Sequence, residues 1–174
     1  MMDPDEFLAW GEPKYLVLLC LLIFGRGMDF LSTYVATPNL VLEGNPLAQK
    51  MGWKFGSVVN LILCVWLSRW PLTAIIIITT SLLVAARNFQ LAWLMRSMGE
   101  EAFRRWFTDK IYETPLTLYL LCLLGQTVLT SLIGVPLICF DGVPMAIGLG
   151  IVAYGITVLF YTLLSLWRMR RKMR

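Results

Sequence analysis

The chain has 174 residues, of which 58% are hydrophobic and only 15% charged, with a net charge of +4. A soluble domain is nearer 45–50% apolar and about 25% charged, so this apolar surface exceeds what one soluble core can bury and the surplus must face lipid. Without a soluble domain to carry a basic face, nucleic-acid binding is set aside. The absence of histidine removes the commonest general base and metal ligand, and with them zinc hydrolases and Ser-His triads.

The expected fold is therefore all-α: one polytopic membrane domain over residues 1–174, with five transmembrane helices and one interfacial amphipathic helix. The opening MMDPDEFLAWGEPK carries four acids and one lysine. It lacks the positive n-region of a cleaved signal peptide and is expected to be retained. The first span is expected over 15–36, closed by Pro38, which cannot continue a helix. Arg26 and Asp29 stand inside it at i, i+3, and Thr33 extends the same face. Gly25 and Gly27 flank Arg26 and would let another backbone come near.

A short loop then reads Glu43-Gly44-Asn45-Pro46. Asn45 as a helix cap and Pro46 at the first helical position predict a short helix to about Met51. Glu43 has no part in that cap. The second span, rather short, is expected over 55–70 with Asn60 near its start. The third begins directly at Pro71 and runs to 98, making a tight hairpin with the second; it carries Arg87 and Asn88. Residues 99–113 place Phe103, Trp106, Phe107 and Ile111 near one helical face and most charges on the other, as in a helix lying in a membrane interface. Such a helix would anchor the two halves, or act as a gate or docking element. The fourth span is expected over 115–140 and the fifth over 143–167, joined at Asp141-Gly142. Gln126, mid-way along the fourth, is expected to hydrogen-bond a neighbouring helix. In the fifth, Ala146-x-x-x-Gly150 is a small-xxx-small step, suited to packing inside the chain or to a homo-oligomer or larger-complex seam. A basic tail occupies 168–174. The four cysteines lie singly in apolar stretches and read as small hydrophobes rather than a disulfide framework.

Lysines and arginines set the orientation. Lys50, Lys54, Arg96, Arg104, Arg105, Lys110 and five residues of the tail fall at one set of span ends, against Lys14 and Arg69 at the other. That distribution puts the C-terminus in the cytoplasm and the N-terminus outside, in a cell (inner) membrane with lipids as the surrounding partner. The basic tail is also suited to anionic lipid.

A charge in mid-membrane costs about 2.5–3.5 kcal/mol on insertion scales, so Arg26, Asp29 and Arg87 should face the bundle interior. Counted by depth, Arg26, Asp29, Thr33, Glu43, Asn45, Asn60, Arg87 and Asn88 converge toward the cytoplasmic side. Two arginines against one aspartate leave a positive surplus, which favours an anion. The bland alternative is an inert ion pair locking helices together. Asp29-x-x-x-Thr33 followed by Glu43-x-Asn45-Pro46 resembles an uncharacterised family of small prokaryotic membrane domains with an Asp…Thr…Glu-x-Asn-Pro signature, over residues 15–95. That resemblance implies only that Asp29, Thr33, Glu43, Asn45 and Pro46 belong to one site. The expected function is binding or translocation of an ion, small anionic solute or lipid head group in a cytoplasm-facing pocket. The alternatives are a non-catalytic accessory or scaffold subunit, and a membrane-embedded enzyme on a lipid-linked substrate. The chain carries no recognisable catalytic motif, and no cofactor or metal is expected.

Overall fold

The computed structural model describes residues 7–171; side chains are described to residue 169. The acids at positions 3, 5 and 6 and the tail at 172–174 lie outside those residues. Among the described residues there are six helices and no strand: α1 (Pro13–Ala36), α2 (Pro46–Leu67), α3 (Pro71–Met98), α4 (Glu100–Glu113), α5 (Leu116–Ile138) and α6 (Val143–Arg171). The predicted punctuation is visible in the backbone. Pro13, Pro46 and Pro71 open their helices. Asn45 caps α2 by accepting from the Leu47 amide at 3.0 Å. Gly99 and Gly142, at φ +80° and +74°, supply the left-handed turns into α4 and α6.

Four helices, α1, α3, α5 and α6, are long and apolar enough to cross a membrane. The expected second span differs. Helix α2 starts earlier, at Pro46, and is broken at Gly52, whose φ of +63° and ψ of −177° belong to a region open to glycine alone. Residues 46–51 form the short capped helix, and the straight run 53–67 is only about 22 Å long at 1.5 Å per residue. A hydrocarbon core is about 30 Å thick. The sequence alone does not reveal this break, because a glycine in an apolar pattern does not declare its φ.

The helices pack in a row. α1 lies along α3, α3 along α6 and α6 along α5; α2 rests lightly on the outer side of α1, and α4 tucks under the end of α3. Close approach is bought by small residues. A Cβ placed on Gly134 would stand 2.7 Å from the Gly148 carbonyl, and one on Gly150 would stand 2.7 Å from Thr79 Cβ. The Thr80 hydroxyl donates to the Gly150 carbonyl at 3.0 Å, tying α3 to α6. Ala146 is fully buried. The small-residue face of α6 is thus occupied within the chain by α3 and α5.

α1 and α3 run parallel, since Gly25 faces Ile78, Arg26 meets Ser81 and Thr33 meets Asn88. α2 runs antiparallel beside α1: Trp53 stacks edge-on against Tyr34, and the Tyr15 hydroxyl donates to the Val65 carbonyl. At the end where α1 begins, Leu8 is buried; its amide donates to the Arg69 carbonyl, and Arg69 Nε donates back to the Leu8 carbonyl. The Arg69 guanidinium lies 3.6 Å from the Phe7 ring centroid and 4.5 Å from that of Trp10, a cation held by aromatic faces. The outward faces of the long helices α1, α3, α5 and α6 are largely apolar. Leu121 is 68% exposed and Leu129 66%, and such continuous exposure suits lipid rather than water.

Candidate functional site

The polar node sits midway along α1. Arg26 spends its guanidinium on three helices. Nε and Nη2 both donate to Asn60 Oδ1 of α2, at 2.9 and 2.6 Å. Nη1 donates to Asp29 Oδ2 at 2.7 Å and to Ser81 Oγ of α3 at 3.1 Å. Asn60 is oriented by its own Nδ2, which donates to the Gly56 carbonyl at 2.9 Å. Gly25 lies against the α3 backbone at Ile78, and its neighbour Gly27 faces open space. Side-chain exposure is 28% for Arg26 and 17% for Asp29. Asp29 Oδ1 has no hydrogen-bond partner among the described residues.

Below this node the polar groups continue toward the α1–α2 loop. Ser32 Oγ donates to the Asp29 carbonyl at 2.9 Å. Asn88 Nδ2 donates to Ser32 Oγ at 3.2 Å and to Thr33 Oγ1 at 3.1 Å. In the loop, Glu43 Oε1 accepts from the Asn45 amide at 2.8 Å, and Gln49 Nε2 donates to the Glu43 carbonyl at 2.7 Å. Trp53 Nε1 donates to the Pro38 carbonyl at 2.8 Å, pinning the loop to the start of the straight part of α2. Glu43 thus stands in the loop at the end of this file of polar groups.

Arg87 does not join this group. It follows Ser81 by six residues, which at 3.6 per turn carries it about 120° away from the face turned to α1. Asn88, seven residues on, returns to the α1 side. The charged pair at the node is therefore Arg26 and Asp29, with Glu43 in the loop beyond it.

Contributors that the sequence does not single out include Ser32, Ser81 and Glu100. Ser81 follows Thr79 and Thr80 in an otherwise apolar run, without a signal that sets it apart. Glu100 opens α4, where an acid ordinarily reads as a helix-dipole partner. Here its carboxylate accepts from the Thr37 hydroxyl (3.1 Å), the Asn39 amide (3.0 Å), Asn39 Nδ2 (3.2 Å) and the Val41 amide (3.3 Å). It holds the loop in place from the far side. A cleft of about 510 Å³ opens beside it, lined by Arg96, Arg105 and Glu101 among others. Glu100→Gln cannot accept on both oxygens, so the amides of Asn39 and Val41 are expected to exchange hydrogen several-fold faster. Exchange rates unchanged across residues 37–43 would show that the loop holds itself.

Comparison of the chain with family models, with curated proteins and with solved structures returns no match in any of the three, so the reading of this site rests on its own geometry.

Proposed function

We propose that this membrane protein binds a small cation, a proton or a monovalent ion, between Asp29 and Glu43, and that the bound charge moves to or from the cytoplasm along the Ser32–Thr33–Asn88 hydroxyl and amide groups. The observation that carries this reading is the state of Asp29: Arg26 pairs with one of its oxygens, and the other has no hydrogen-bond partner among the described residues, with the Glu43 carboxylate in the loop at the end of the same file of polar groups. Two like charges in a medium of low dielectric repel strongly, and a cation between them removes that cost. The hydroxyls of Ser32 and Thr33 are ordinary oxygen ligands or proton carriers at the same depth. Asn60 and Ser81 hold Arg26 to one side, so that it neutralises half of the site without filling it.

The membrane arrangement belongs to the same proposal. α2 lies antiparallel along α1 and returns the chain to the level at which α1 began, which supports five crossings with α2 as the thin one. With the lysines and arginines distributed as described, the N-terminus is outside and the loop at Glu43 is cytoplasmic. α4 then lies in the cytoplasmic interface with Phe103 buried and Trp106 and Phe107 half turned outward.

Thermal unfolding of the purified protein across a panel of monovalent cations, anions and lipids tests the reading. Glu43→Gln keeps the oxygen that caps the Asn45 amide and removes only the charge. Wild type is expected to gain stability with at least one cation, and Glu43→Gln to lose that gain. Identical cation responses of the two would overturn the reading. Stabilisation by anions, lost in Arg26→Gln, would instead favour an anionic solute or head group.

A further inference from the structure

Gln126 presents a separate problem, independent of the ion site. It lies near the middle of α5, on an exposed face, and its side-chain amide has no hydrogen-bond partner among the described residues. Its neighbour Thr130 bonds back to the Gln126 backbone carbonyl and leaves the side chain alone. At the centre of a bilayer there is no water to serve the amide, and an amide without a partner in hydrocarbon is strongly unfavourable. The side chain is also too deep to reach the interface.

We infer that α5 is the contact helix of a homodimer, in which Gln126 of one copy hydrogen-bonds Gln126 of the other across a two-fold axis normal to the membrane. Two copies inserted in one orientation bring α5 to α5 in parallel, so equal residues meet at equal depth. A carboxamide is both donor and acceptor and so complements itself. The exposed residues of α5 carry the matching pattern: Cys122, Gln126, Leu129 and Ile133 are spaced four, three and four, the seam of a left-handed helix pair. α5 stands at the end of the helix row opposite α2 and packs mainly on α6, which leaves the face carrying Gln126 exposed. The two ion sites then lie at the outer ends of the dimer.

Cys122 makes the seam testable. In variants keeping a single cysteine, oxidation in lipid vesicles should give a covalent dimer through Cys122 and far less through Cys20, an exposed cysteine on α1. Energy transfer between labelled copies, followed on dilution into lipid, should show Gln126→Leu raising the dimer dissociation constant about tenfold. Gln126→Asn should retain most of the association. Because Gln126→Leu exchanges a lipid-facing amide for an alkyl group, it should insert and fold at least as well as wild type. Equal cross-linking at Cys20 and Cys122, or a dimer fraction indifferent to Gln126→Leu, would overturn the inference.

Discussion

Asp29→Asn alone is expected to destabilise the protein by about 3 kcal/mol, because it leaves the Arg26 charge in mid-membrane without its counter-charge. Arg26→Gln should cost a similar amount for the opposite reason: Asp29 would then keep its carboxylate in mid-membrane without its guanidinium partner. The pair Arg26→Gln with Asp29→Asn removes both charges and keeps amides that can bond Asn60 and Ser81. It should return to within about 1 kcal/mol of wild type. The measurement is a double-mutant cycle on reversible unfolding in detergent or bicelles. A coupling of about 2 kcal/mol or more is the expected result; additive losses would mean that Arg26 is neutralised elsewhere. The cycle also separates structure from use. A stable double variant that no longer responds to cations would assign the pair a role beyond locking α1 to its neighbours.

This prediction could not have been framed from the sequence with the right partners. Apolar run lengths and the prolines at 13, 46 and 71 made the helix ends legible, and residues 71–98 were bounded correctly. Depth was legible too, since Arg26 meets Asn60 and Thr33 meets Asn88. Rotation about the helix axis was not. Arg87 and Asn88 are one residue apart and lie at one depth, yet only Asn88 faces α1, because 100° per residue separates them. Depth alone puts both in one pocket, and only the rotation about the helix axis separates them. Ser81 and Glu100 escaped for a related reason: their partners are more than 50 residues away in the chain, and neither has a local pattern that singles it out. Glycine posed a third kind of ambiguity. Nothing in the residue type distinguishes Gly52, which breaks a helix, from Gly148, which lets two helices touch.

Gly148→Ala is expected to be among the most damaging single methyl additions in the chain. The new Cβ would fall 2.6 Å from the Gly134 carbonyl oxygen, 2.9 Å from Leu137 Cβ and 3.0 Å from the Ile138 amide. Two of those atoms are backbone, so no side chain can rotate away and α5 must move off α6. Overpacking of this kind costs about 1–3 kcal/mol, here without a hydrophobic force in lipid to press the helices back together. Gly155→Ala, one contact further along the same seam, meets the Ser131 hydroxyl at 3.3 Å. It should cost less, since that side chain can give. Gly27→Ala meets nothing within 4 Å and should be neutral or slightly stabilising, because alanine is the better helix former. The ordering Gly148, Gly155, Gly27 in unfolding free energy is the test. A tolerated Gly148→Ala would mean that α5 is not seated on α6 through this glycine pair. The position of α5 at the end of the row, and with it the outward placing of Gln126, would then have to be redrawn.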